Sequence, residues 1–121
     1  MGVADTSGDS VSGYSDGRRV EWAVAKQLRS DGYAVSRGSS SKGDLGDIIA
    51  VKPGQILFIN VKRSTPPGPA ERAALLDVAH MLRGGIALVA LGPASNITYR
   101  RLYGTGPYDW QPWTPDEVVP R

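Results

Sequence analysis

Residues 47–63 read DIIAVKPGQILFINVKR, and their pattern decides the fold. Two aliphatic runs flank Pro53-Gly54, a turn signal, which predicts a hairpin of strands Asp47–Lys52 and Gln55–Lys62. Side chains alternate along a strand, so Ile56, Phe58, Asn60 and Lys62 share one face while Leu57, Ile59 and Val61 share the other. A hairpin sets the start of its first strand beside the end of its second. Asp47 is thereby expected near Asn60 and Lys62. The Asp47 carboxylate, the Val61 carbonyl and the Asn60 amide oxygen are hard donors suited to Mg²⁺, with water completing the shell. Beside such an ion, Lys62 is placed to orient or deprotonate an attacking water, and the ion to offset charge on a phosphodiester.

Upstream, a helix is predicted from about Gly17 to Ser30, capped by Ser15 or Asp16 and ended by Gly32. With Val20 at zero and about 100° per residue, Val24 and Leu28 complete a narrow apolar stripe and Glu21 falls on its edge. Arg18, Trp22 and Arg29 lie further round, so a carboxylate stands at the border of core and solvent beside basic and aromatic groups. Tyr33–Arg37 reads as a short strand and residues 38–46, GSSSKGDLG, as a polar loop. Downstream, Ala70–Leu82 reads as a helix ended by Gly84-Gly85. Ile86–Leu91 is apolar on both faces, as a central strand is. Ile97–Tyr103 is a last strand carrying Arg100 and Arg101, and residues 104–121 read as an extended tail anchored through Trp110 and Trp113. Residues 1–16 are rich in Gly, Ser and Asp and are expected to be disordered. The order helix, three strands, helix, two strands makes an α/β domain over 17–103, a mixed central sheet flanked by helices.

Composition narrows the chemistry. The chain has 121 residues, enough for one modest core. It lacks cysteine and has one histidine, His80, which excludes disulfides, thiolate zinc sites and multi-histidine metal centres. No apolar run spans a bilayer and no signal-peptide pattern opens the chain, so a cytoplasmic protein without a membrane partner is expected. The net charge of +2 hides an uneven layout. Residues 17–106 carry 13 Lys/Arg against 6 Asp/Glu, and the acidic excess lies at the ends. A basic body suits a polyanion, most simply nucleic acid, although a solvated basic surface reads equally well from charge alone.

The set Glu21, Arg37 with a Ser-rich loop, Asp47-Ile48-Ile49-Ala50, and Phe58-Ile59-Asn60-Val61-Lys62-Arg63 resembles the PD-(D/E)XK nuclease superfamily. Within it, the resemblance is to the archaeal-type Holliday junction resolvases, including phage relatives. This implies a restriction-endonuclease-like core and metal-dependent hydrolysis of a phosphodiester in four-way DNA junctions, with Mg²⁺ or Mn²⁺ as cofactor and a homodimer cutting two opposed strands. It places Glu21, Asp47, Asn60 and Lys62 in the metal and catalytic site. Arg37 becomes the basic residue ending the first strand. A serine acting near the scissile phosphate matches Ser39, Ser40 or Ser41, with Ser40 in the middle. Arg18, Arg19, Arg37, Ser39, Ser41, Lys42 and Arg63 become DNA contacts.

Two positions depart from the pattern. Gly46 precedes Asp47 where a proline is usual, and Asn60 stands where the motif has an acid. Asn60 keeps a carbonyl ligand but removes one negative charge, so metal affinity falls and Lys62 loses an ionic partner. Three readings of Asn60 are open: a weakened natural site, a junction-binding module that no longer cuts, or an engineered near-isostere of Asp. A nicking or mismatch-type nuclease on the same fold is the remaining alternative. Each residue also has a plainer reading. Glu21 can be a surface helix acid, Asp47 a group bonding backbone N–H, and Lys62-Arg63 a strand end reaching solvent. Asp44 is a loop cap held as a reserve ligand, His80 a helix-surface residue, and Arg100 and Arg101 a solvated edge.

Overall fold

The computed structural model describes residues 12–37 and 46–115, with side chains from residue 18 onward. Helix α1 (Ser12–Ser30) is followed by strands β1 (Ala34–Arg37), β2 (Ile48–Lys52) and β3 (Gln55–Lys62). Helix α2 (Pro69–His80) then leads to β4 (Gly85–Leu91), β5 (Thr98–Leu102) and β6 (Trp110–Trp113). The strands form one sheet in sequence order. All neighbours are antiparallel except β3 and β4, which run parallel because α2 carries the chain back across the sheet.

The hairpin forms as its turn chemistry requires. Lys52 pairs with Gln55 across Pro53-Gly54. Proline fixes its own φ near −65° and Gly54 supplies φ +82°, the pattern of a type II turn. The register sets Ile48 opposite Ile59, so β2 stops one residue short of Asp47 while β3 runs on to Lys62.

Each face of the sheet is covered by one helix. On the α1 side, Val20, Val24 and Leu28 pack on Ile48, Leu57, Ile59, Leu88 and Tyr99. On the α2 side, Leu75, Leu76, Val78 and Ala79 pack on Phe58, Ala87, Val89 and Leu91. Strand β4 feeds both clusters and is buried on both faces, as its unbroken apolar run predicts. Emptying a site as fully enclosed as Leu28 by truncation to Ala costs about 2–5 kcal/mol.

Two expectations change. The first helix begins at Ser12, five residues before Gly17, so Ser15 and Asp16 lie inside it and not at its cap, and residues 12–16 are helical instead of part of the expected disordered tail. Extending a helix adds a hydrogen bond for each residue fixed, whereas starting one does not, so the amphipathic segment carries a polar turn with it. It ends where predicted: Gly32 donates to the Arg29 carbonyl at 3.1 Å and Tyr33 to the Leu28 carbonyl at 3.0 Å. The expected tail after Tyr103 contains a sixth strand. Trp113 is buried edge-on against Tyr99, with ring centroids 5.4 Å apart. Pro112 faces Arg100 and is tolerated because β6 is an edge strand. Trp110 lies under the Arg100 guanidinium, 4.1 Å from its ring centroid, so both tryptophans anchor this segment. Among the described residues no helix is long and apolar enough to cross a membrane.

Candidate active site

The end of β3 organises the site. Past Ile48 the Val61 N–H has no strand beside it. The Asp47 side chain takes that place, its Oδ2 accepting from the Val61 amide at 2.7 Å. Its own amide donates to the Ile59 carbonyl at 2.8 Å. The Val61 carbonyl points to the same side as its N–H, into the space that opens beyond β2. Gly46 makes this bend possible. Its φ is +89°, and a Cβ there would lie 2.9 Å from the Ile59 carbonyl oxygen. Proline cannot adopt that φ, which accounts for glycine at this position.

Glu21 reaches the same place from α1. It is partly buried, and its carboxyl titrates above the usual carboxylate range. Loss of hydration on burial contributes most and the Asp47 charge next, opposed by Arg37 and Arg18. Arg37, at the end of β1, stands 4.0 Å from Glu21 Oε1 while its guanidinium stacks 4.0 Å above the exposed Trp22 ring. Helix stripe, strand start and strand end thus bring Glu21, Asp47, Arg37 and Val61 together.

Lys62 makes a different contact. It leaves β3 on the α2 face, as Phe58 does, and its Nζ donates to Glu71 Oε2 at 3.0 Å. Asn60 lies between them on that face, half-buried and level with Val89 of β4. Arg18, Arg19 and Arg63 are exposed. Arg19 lines a shallow groove with Trp22, Lys26 and Arg29 on the outer side of α1. Ser39, Ser40, Ser41, Lys42 and Asp44 lie outside the described residues. His80 is exposed at the end of α2.

Sequence reasoning missed Glu71 and the Trp22–Arg37 stack. Glu71 carries a local signal only as the acid in the first turn of α2, where its Oε1 accepts from the Gly68 N–H at 3.3 Å. Nothing in its spacing points to Lys62.

The donor set suits a hard divalent cation. Two carboxylates face each other closely enough for one to raise the proton affinity of the other, and a cation between them would relieve that repulsion. Glu21, Asp47 and the Val61 carbonyl offer oxygen donors at this place, while Asn60 leaves β3 on the opposite face with Lys62. Among the described residues, no cluster of three His, Cys, Asp or Glu side chains forms. Among the described residues two acids, Glu21 and Asp47, come to this place.

A mixed sheet with a helix on each face, a helix Glu, an Asp at a strand start and a Lys at the end of the next strand are arranged as in a PD-(D/E)XK-type fold. Residues 12–68 match the archaeal Holliday junction resolvase (Hjc) family model, a segment holding Glu21, Asp47, Asn60, Val61 and Lys62. Among solved structures, the chain is similar to the Archaeoglobus fulgidus Hjc, a Holliday junction resolvase from an archaeal hyperthermophile. Identity is 26%, the TM-score is 0.57, and the match covers 69% of this chain and 70% of that one. Over residues 12–68, and in its fold, the chain is thus similar to the archaeal Holliday junction resolvases. No curated protein matches it.

Proposed function

We propose that this chain is a structure-selective endonuclease that resolves four-way DNA junctions by hydrolysing phosphodiesters, using Mg²⁺ or Mn²⁺. The observation that carries the reading is the convergence of Glu21 and Asp47 at the free end of β3, within the segment that matches the resolvase family. Glu21, Asp47 and the Val61 carbonyl would hold the cation. When bound, it supplies charge to a phosphate in reaction. Lys62 orients the water whose oxygen forms the new bond to phosphorus as one ester P–O bond breaks and the leaving oxygen takes up a proton. Arg37, fixed on Trp22, and the exposed Arg18, Arg19 and Arg63 supply phosphate contacts that position the junction without reading sequence. Ser39, Ser40, Ser41 and Lys42 are proposed to join them from the loop. Two copies related by a two-fold axis would present two sites to the two opposed strands, so we take the working form as a homodimer, acting in the cytoplasm.

A second reading rests on the acid count. With Asn60 in place of the motif acid, the same surface serves a junction-binding module whose cutting is weak or lost.

Labelled four-way junction, nicked duplex and linear duplex are incubated at fixed salt with and without Mg²⁺ or Mn²⁺, for the wild type and Lys62→Ala. The nuclease reading expects metal-dependent cutting of the junction ahead of the other substrates. It also expects loss of about 10²–10⁴-fold in Lys62→Ala. Binding without cutting in either metal supports the second reading. Preference for nicked or linear duplex supports a nicking or mismatch-type enzyme. A monomer by light scattering at micromolar concentration contradicts the dimer.

A further inference from the structure

Lys62 lacks an acid on its own strand but has one across the gap to α2. Asn60 and Lys62 lie two residues apart on the face of β3 that packs against this helix. The Lys62 ammonium donates to Glu71 Oε2 at 3.0 Å, while Oε1 accepts the Gly68 amide at 3.3 Å. Both carboxylate oxygens are therefore engaged, and the backbone at the start of α2 fixes where the acid sits. The Lys62 bond, which is the largest influence, and the Gly68 bond hold the Glu71 carboxyl below the usual carboxylate range. An ion pair this exposed contributes little to stability. Its effect is on aim. A lysine side chain has four rotatable bonds, and without a partner its ammonium samples many positions.

We propose that Glu71 is a positioning residue that takes over from helix α2 the part of the acid missing at position 60, holding the Lys62 ammonium in place at the strand end. This rests on the reading of Lys62 as the residue that orients water. Glu71 acts through Lys62 and not as a cation ligand, since its oxygens are occupied by Lys62 and Gly68.

The test transplants the acid. Full-length wild type, Glu71→Gln, Asn60→Glu and the double variant are compared by three measurements. These are the NMR mobility of the Lys62 ammonium in metal-free protein, single-turnover junction cleavage with Mg²⁺, and junction affinity without metal. Glutamine keeps an acceptor for the Gly68 amide, and thermal melting checks that the fold survives. Glu71→Gln is expected to mobilise Lys62 and to slow cleavage on the order of 10- to 100-fold, with junction affinity within about twofold. Adding Asn60→Glu to Glu71→Gln is expected to restore both Lys62 order and cleavage, because position 60 shares the face of Lys62. A purely structural Glu71 would not be rescued from another element. An equally ordered Lys62 in Glu71→Gln overturns the proposal, as does a double variant that recovers neither property. A wild type that binds junctions but never cuts overturns the nuclease reading instead, and the metal-free mobility still decides the role of Glu71.

Discussion

The Asp47 carboxylate replaces a strand: Oδ2 takes the Val61 N–H at 2.7 Å, where β2 has already ended. A side chain that completes a backbone ladder has one oxygen committed and one left for other contacts, and its charge is felt by Glu21. The plain reading of Asp47 as a group bonding backbone N–H and the functional reading describe the same residue.

Asp47→Asn and Asp47→Ala should therefore separate the two duties. Asparagine retains an oxygen for the Val61 amide, so stability should change by less than about 1 kcal/mol. Alanine leaves that amide without its acceptor and should cost about 1–2 kcal/mol. Both should abolish tight Mn²⁺ binding. Urea melts and calorimetric Mn²⁺ titration check this, and equal destabilisation by the two variants would show that charge, not the hydrogen bond, holds the bend.

Glu21 gives a pH dependence whose sign follows from its environment. Its folded pKa lies above the ordinary value near 4.5, through burial first and the Asp47 charge second. The native state therefore binds this proton more tightly than the unfolded chain. Stability from this group is present below the ordinary carboxylate pKa and is lost as pH rises through the folded value. Glu21→Gln should accordingly melt higher than wild type at neutral pH, by an amount reduced through loss of the Arg37 contact. The difference should shrink as pH falls toward 4. Cleavage should drop by about 10²-fold or more, as for other groups that hold charge in an active site. Melting curves across pH 4–8 read the first effect. A variant less stable than wild type throughout would mean that the Arg37 contact outweighs burial.

At position 60 a third acid should strengthen the site. Asn60→Asp or Asn60→Glu adds a charged hard ligand on the face of Lys62. Mn²⁺ or Ca²⁺ affinity should rise about tenfold, with the Mg²⁺ requirement for cutting falling in parallel. Metal-free junction affinity should weaken by about twofold, since the added charge opposes phosphate. Titration and cleavage of wild type and both variants side by side decide it. No change in either would place residue 60 away from the cation.

Gly46 should resist substitution. Alanine there meets the Ile59 carbonyl at 2.9 Å and must hold φ +89°, at a cost of about 1–3 kcal/mol. Proline, the residue common at this place in related nucleases, should do worse because its φ is fixed with the opposite sign. Denaturant unfolding of Gly46→Ala and Gly46→Pro measures both. A proline variant as stable as wild type would show that the bend is rebuilt with another backbone path.

By itself the sequence determined most of what is set within one element or one tight turn, the start of the first helix excepted. Pro53-Gly54 dictates the hairpin, and the hairpin puts Asp47 level with the end of β3. The spacing of Val20, Val24 and Leu28 dictates the buried stripe and leaves Glu21 at its edge. The unbroken run of β4 dictates burial on both faces. These follow from periods of 3.6 and 2, which need only near neighbours. Tertiary structure decided the rest. Trp110–Trp113, with its proline, has no strand pattern of its own. It pairs because β5 offers an open edge and Tyr99 a surface for Trp113. Lys62 meets Glu71 because the crossover to a parallel β4 lays the first turn of α2 over the face of β3 that carries Lys62. Glu21 feels the charge of Asp47 because α1 docks on the sheet beside the end of β3. Each of these contacts joins residues whose elements are placed by the packing of two helices on opposite sides of one sheet, and no local period carries that information.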